Sequence, residues 1–413
     1  MVNAIINAIA ESLLIGLGFF YKALWPILFG VLITAAIETF MNAKKMAEIL
    51  GGRDLITTGK ATAAGAISSA CTFGAVTITN TLFKKGASSE SSFAFSFAST
   101  NLVFELGILI YVLLGPAFLA AELLGGFLLI VIMYLLVRLT LPEKTFEEAR
   151  RRLRGEGEGE EGSDPSDDPF CGYPGNPDYT LEHEGVTYQF FSEPCRQAYR
   201  QQIAAQRNWK RQLLSRSGWY RIAVNYFNTM GKIYKTVIWG FLLAGFIVGL
   251  VPTAAWRFLF LDSSSFLGVL ENATLGVLAG VFSFIGSIGN VPFAAALWFS
   301  GVSFAGVIAL IYADLITVPV LQLWRQFLGW KGMLYVFAIF FVTMTASAVA
   351  MEYLFEAFDL IPERPASVGQ IKDFLAPKLD FTLIMTIVML TLTATLYWLM
   401  RVDTRKGAEE GTG

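Results

Sequence analysis

The chain has 413 residues, of which 54% are hydrophobic and 15% charged, with 38 glycines and 35 phenylalanines. Soluble domains carry about 25% charged residues, so this composition excludes a soluble globular protein and describes a polytopic membrane protein. The formal net charge of -2 says nothing about nucleic acid, and there is no basic tract interleaved with aromatics to track a phosphate backbone, so no nucleic-acid partner is expected. Three cysteines, one of them inside an apolar run, do not make a disulfide framework. The first residues lack the basic region and small-residue cleavage site of a removable signal peptide.

Residues 1–23 are apolar but interrupted by Asn3, Asn7, Glu11 and Lys22, which predicts an interfacial helix or the foot of the first span. Leu24 to Met41 is the first full span of about 30 Å of hydrocarbon. Residues 42–60 carry Lys44, Lys45, Arg53 and Lys60 and belong in water. Next comes a run of unusual character at 61–83, centred on Ala70-Cys71-Thr72-Phe73-Gly74-Ala75-Val76-Thr77 and closed by Lys84-Lys85-Gly86. It sets a thiol, hydroxyls and a glycine in apolar sequence, and irregular backbone at membrane depth is tolerated only inside protein or beside a water-filled cavity. Spans at 92–114 and 117–140 follow, joined so tightly at Gly115-Pro116 that they must be antiparallel.

Residues 141–217 differ in composition: a basic stub (Arg150 to Arg154), an acidic Gly/Ser tract (Gly155 to Asp168), a polar-aromatic segment with two cysteines, and a second basic helix (Gln201 to Arg216). The acidic tract has too few apolar residues to offset the entropy of ordering it and reads as a linker. Apolar runs resume at 233–252, 273–299, 302–323, 331–355 and 381–400.

The two membrane parts align at an offset of 215 residues, which pairs Gly30 with Gly245, Gly74 with Gly289, Gly86 with Gly301 and Ser88 with Ser303. The fold class expected is an all-α polytopic membrane protein of two homologous repeats with a small α+β insert. Its parts are repeat 1 at 1–140, linker and insert at 141–217, repeat 2 at 218–355, and a loop, final span and polar tail at 356–413. If 61–83 crosses fully, each copy has four crossings and the repeats are parallel; if it returns, each has three and they are inverted. The returning arrangement puts Lys44, Lys45, Arg53, Lys60, Lys84, Lys85, Arg325, Lys331, Arg401 and the insert's basic residues on one face. The positive-inside rule therefore favours inverted repeats with re-entrant or broken motif segments. The insert is cytoplasmic in both arrangements.

Substrate-binding candidates are Cys71, Thr72, Gly74, Thr77 and Asn101 in the first half and Gly286, Ser287, Gly289 and Asn290 in the second. A thiolate at Cys71 is a soft ligand, although a buried cysteine also packs as a small hydrophobe. The glycines allow backbone to open toward a substrate, or equally let helices pack closely. Intramembrane acids are costly and mark ion or proton sites. Asp314, deep in its span and opposite Ser99 at the repeat offset, is the leading coupling residue; Glu105 and Glu122 are weaker candidates. The single histidine, His183, lies in the insert, so no membrane catalytic triad can be assembled and the chain reads as a transporter, not an enzyme. A rival reading, a receptor or thiol-redox protein using Cys71, lacks a resolving cysteine, haem-histidine pair or flavin motif. In the insert, Cys171, His183 and Cys195 supply three ligand types for a metal ion, and a segment this short needs such a staple.

Two resemblances follow. The insert resembles a YHS domain through Asp168, Pro169, Cys171, Gly172, Gly185, Thr187, Tyr188, Phe190, Ser192 and Cys195, with Phe191 where that family has a cysteine. This implies a metal-sensing or delivery module, and with it a cytoplasmic metal-delivery or regulatory partner. The membrane part resembles the arsenical-efflux (ArsP-type) predicted permeases through Cys71-Thr72-Phe73-Gly74, Lys85-Gly86-Ala87-Ser88, Ser99-Thr100-Asn101 and Gly286-Ser287-Ile288-Gly289 with Pro292. That resemblance implies efflux of a metal, metalloid or organometalloid, and Phe73 and Gly286 replace two of the family's cysteines. There is no Walker-type phosphate loop for ATP coupling.

Overall fold

The computed structural model describes residues 2–40, 54–68, 72–84, 86–153, 176–183, 186–204, 215–251, 260, 265–283, 286–364 and 368–410. Helices dominate, with one two-stranded sheet among the described residues. Six helical runs are long and apolar enough to cross a membrane, or seven when the pair Ser89–Asn101 and Phe104–Leu114, bent by 43°, is taken as one.

Helix α1 (Val2–Phe40) is continuous, with Pro26 inside it. The interruptions that suggested a separate interfacial foot lie on one helix, and two of them are paired: Glu11 with Lys372, and Lys22 with Asp380 at 3.3 Å. Helix α2 (Leu55–Ser68) opens at Asp54, whose carboxylate accepts from the Thr57 hydroxyl at 2.5 Å and the Thr57 N–H at 3.3 Å. The Thr57 hydrogen bond holds the Asp54 carboxyl below its ordinary range. With α3 (Thr72–Lys84), α2 forms a pair of helices of 14 and 13 residues. At about 1.5 Å per residue each is some 20 Å long, too short to cross alone.

Gly86, with φ 104°, reverses the chain into α4 (Ser89–Asn101), and the Ser88 hydroxyl accepts the Ser91 N–H at 3.1 Å as N-cap. A bend at Leu102 and Val103 separates α4 from α5 (Phe104–Leu114), so the span expected at 92–114 is a broken one. Gly115 then turns the chain into α6 (Pro116–Thr140), and α7 (Glu143–Leu153) follows. The insert contributes β1 (Asn176–His183) and β2 (Val186–Phe190), paired antiparallel, and α8 (Glu193–Ala204). The strand predicted around Thr187 is present, whereas β1 was not read in the sequence.

The second half consists of α9 (Arg216–Leu250), α10 (Phe266–Ser283), α11 (Ser287–Phe299), α12 (Phe304–Tyr312), one 3-10 turn (Ala313–Ile316), α13 (Val318–Ala357), α14 (Val368–Leu375) and α15 (Phe381–Glu410). The run expected at 273–299 is thus two helices. Gly329, with φ 75°, reverses the chain inside α13, bringing Trp324 and Phe340 onto the same Phe93 ring at 5.8 and 5.3 Å. Boundaries recur at the 215-residue spacing: α3 matches α11 residue for residue, and α4 matches α12 plus the 3-10 turn. Gly301 has φ 105°, and Ser303 accepts the Gly306 N–H at 3.1 Å, repeating the roles of Gly86 and Ser88.

Close packing fixes helix directions. A Cβ at Gly16 would strike the Phe241 carbonyl and one at Gly249 would strike Ser12, so α1 and α9 cross antiparallel at small-residue contacts. Gly276 abuts Gly306 and Ala309, and Gly280 abuts Leu310 and Ala313, so α10 runs parallel to α12. Because α11 reaches α12 through the tight Gly301 turn, it runs the other way, and α10 and α11 open at the same end. Gly65 meets Phe95 and Ala98 as Gly280 meets Leu310 and Ala313. Ala61, one turn before Gly65 in α2, shares a small cluster with Leu82, Ala87 and Phe95. Both pairs of helices are therefore hairpins that enter and return, with α3 and α11 each beginning at the end away from the opening.

Candidate functional site

The two hairpin tips meet. Thr72 is the first residue of α3 and Ser287 the first of α11, and their hydroxyls share a hydrogen bond at 2.8 Å across a sequence separation of 215. Both oxygens also lie within hydrogen-bonding distance of Asp314 Oδ2, at 3.2 Å for Thr72 and 2.5 Å for Ser287; with one hydrogen per hydroxyl, Ser287 donates to Asp314 and Thr72 donates to either Ser287 or Asp314. Asp314 is fully buried on the 3-10 turn that interrupts the second-half span. The Trp324 indole donates to the Leu315 carbonyl at 3.2 Å, satisfying backbone that the interruption frees. The start of each half-helix carries about half a positive charge, so a carboxylate between two of them is favoured electrostatically.

The predicted residues divide as follows. Thr72, Ser287 and Asp314 come together. Asn290, one turn along α11, is buried, accepts weakly from the Ser283 hydroxyl at 3.4 Å, and leaves its Nδ2 without a partner among the described residues. Asn101 is buried at the end of α4, with neither amide atom partnered there. Gly286 is the extended N-cap of α11. The Gly289 backbone lies against Gly240 with no room for a methyl group, which is a packing role. Gly74 is half-buried, and Thr77 is exposed and outside the tip contacts. Glu105 stands apart, beyond the α4–α5 bend, where it accepts from the Thr34 hydroxyl at 2.7 Å and lies against Gly30. Cys71 lies outside the described residues, immediately before Thr72 in the chain.

Of the insert's three ligand candidates, Cys171 and the His183 side chain lie outside the described residues. Cys195 is buried in a cluster with Phe190, Ala198, Tyr220 and Val224, and its sulfur accepts from Ser192 and Asn228, each at 3.3 Å. Among the described residues no group of three metal-ligating side chains forms.

Two arginines that the sequence offered only as charges prove to be matched. Arg150, on α7, donates to the Ala87 carbonyl at 3.0 Å and lies 4.4 Å from the Phe83 ring centroid. Arg364 donates to the Gly301 carbonyl at 3.0 Å and lies 4.4 Å from the Trp298 ring centroid. Phe83 and Trp298 are related by the repeat spacing, so each returning half-helix has a cation at its C-terminal end, where the macrodipole is negative. An open cavity of about 520 Å³ lies beside the second hairpin, lined by Trp239, Leu243, Ala279, Phe282, Ser283 and Phe293. None of the three tip residues lines it.

A family model described as a predicted permease (ArsP_1) matches residues 8–353. The protein named "Putative permease Rv2963" of Mycobacterium tuberculosis (strain ATCC 25618 / H37Rv) is 35% identical over 313 residues, covering 75% of this chain and 68% of that protein. No solved structure matches the chain.

Proposed function

The chain belongs to the ArsP_1 family of predicted permeases, and from that premise we propose that it is a secondary transporter whose substrate passes between the two hairpin tips. The observation that carries this reading is the meeting of Thr72, Ser287 and Asp314. Paired discontinuous helices with their positive ends facing a central polar group are the arrangement transporters use for midplane binding sites.

The two halves are read as inverted repeats, with α2–α3 re-entering from the face that carries the insert and α10–α11 from the opposite face. The hairpin directions and the excess of Lys and Arg on the insert side support this topology and a cytoplasmic insert. The cargo proposed is a metal, metalloid or organometalloid species moved outward, with Cys71 contributing a soft ligand next to Thr72. Coupling is to protons through Asp314. The insert serves as a metal-sensing or delivery module, held to the membrane part by Tyr220 and Val224 of α9, which pack on Cys195 and Phe190.

Reconstitution in proteoliposomes, with a panel of arsenicals, antimonials and soft metal ions, tests the reading. Flux driven by a pH gradient is expected in the unaltered chain and its loss in Asp314→Asn. Absence of flux for the whole panel overturns the proposed cargo, and unchanged flux in Asp314→Asn overturns the coupling role.

A further inference from the structure

Glu122, on α6, is 1% exposed, and neither carboxylate oxygen has a partner among the described residues. The same holds for Asp314 Oδ1 and for both amide atoms of Asn101. Three elements bring these groups together. Helix α4 packs against the 3-10 turn that carries Asp314, and Asn101 is the last residue of α4. A Cβ at Gly126 would come within 4.0 Å of the Asn101 Cβ, and Glu122 lies one helical turn before Gly126 on the same stripe of α6. The Tyr312 hydroxyl donates to the Ala121 carbonyl at 3.1 Å, tying the residue before Glu122 to the segment that carries Asp314. Asp314 in turn acts electrostatically on Glu122.

We infer that Glu122, Asp314 and Asn101 form a binding site for one hard monovalent cation, a proton or sodium ion, beside the hairpin tips. The charge balance points the same way. Two half-helix starts contribute roughly half a positive charge each, enough to offset Asp314 but not Glu122 as well. A buried carboxylate with no counter-charge is not sustained at membrane depth, so one positive charge completes the site. The free donors are carboxylate and amide oxygens, which suit a proton or Na⁺ and not a soft metal. Of the other acids on helices packed against α6, Glu105 accepts from Thr34 and Glu352 from the Ala305 N–H, while Glu90 lies in the first turn of α4, at the opposite end of that helix from Asn101. Asp314 and Tyr312 are the titratable groups that face Glu122.

This inference rests on reading the tips as a transport site, where the cation is the coupling ion; a sodium outcome keeps the site and overturns the proton coupling proposed above. Its test uses the full-length protein in detergent, with cation binding as the readout and no cargo present. Binding of radioactive sodium across a pH series is measured beside infrared difference spectra of the carboxylic-acid band. Sodium binding opposed by protons identifies a sodium site; a carboxylic-acid band that titrates without sodium dependence identifies a proton site. In either case Glu122→Gln is expected to remove the signal, Glu122→Asp to retain it in weakened form, and Asn101→Leu to weaken it by roughly tenfold. Neither signal in the unaltered chain, or an unchanged signal in a monodisperse Glu122→Gln variant, overturns the inference. A chain that binds the cation yet moves no cargo keeps the site and overturns the permease reading.

Discussion

The two hairpins are alike in frame, and the segments that follow them differ in charge. α3 and α11 coincide in length and spacing, Thr72 and Ser287 both present a hydroxyl at the helix start, and Gly86 and Gly301 make the same left-handed turn. At the offset that matches them, Asp314 falls opposite Ser99, whose hydroxyl only bonds back to the Ser96 carbonyl at 3.0 Å. A symmetric scaffold therefore carries an asymmetric charge. The shared features are backbone geometry, which both halves need in order to break a helix at depth. The acid is needed once, because one carboxylate serves both helix starts and a second at Ser99 would repel it.

The largest effect expected is from moving that charge. Asp314→Ser should abolish gradient-driven flux, and the exchange Ser99→Asp with Asp314→Ser should restore part of it if the halves are equivalent. Flux in proteoliposomes decides, and no recovery breaks the equivalence. Next come the two hydroxyls. Ser287 holds Asp314 at 2.5 Å and Thr72 at 3.2 Å, so Ser287→Ala should cost more than Thr72→Ala, within the roughly 1.5–3 kcal/mol of a hydrogen bond to a charged group. Thermal unfolding of the two single variants and the double variant reads both the order and the coupling.

The α1–α9 crossing sharpens the comparison at the scaffold level. Gly245→Leu forces a side chain into the Ser12 and Gly16 backbone, at about 1–3 kcal/mol of lost stability, whereas Gly59→Leu, in open space, should leave the melting temperature almost unchanged. Arg150→Met and Arg364→Met should each loosen one hairpin base by roughly 1 kcal/mol. Cysteine-labelling rates at the two bases are expected to rise on opposite sides of the membrane. The smallest effect is at Asp54. Its carboxyl is held low by Thr57, so its stabilisation is present above the unfolded value of about pH 4 and is lost as pH falls through the lower folded value. Asp54→Ala should lower the melting temperature at neutral pH and do nothing at the acid end.

Much of this was legible in the chain itself. Composition determined the membrane class, because runs too apolar for water have few other environments. The fixed spacing of Gly86 with Gly301 and Ser88 with Ser303 marked equivalent positions of two repeats, and the structure makes them equivalent turns, because positive φ and N-capping restrict residue choice. The motif residues resembled those of predicted permeases, and Asp314 stood out because a charge inside an apolar span is costly. The sequence did not reveal the break at Leu102, the chain reversal at Gly329 or the continuity of α1 through Lys22. Apolar runs read alike whether straight, bent or folded back. The sequence ranked Asp314 above Glu105 but placed neither, since both are acids in spans and only packing sends one to Thr34 and the other to the tips. The matched arginines and the open oxygens of Glu122 are also tertiary facts, because a partner 63 residues away or its absence leaves no local pattern. What the sequence by itself determined was which residues could not be in lipid alone; what only the tertiary structure decided was which of them meet, because that depends on helix directions set by glycine contacts distant in the chain.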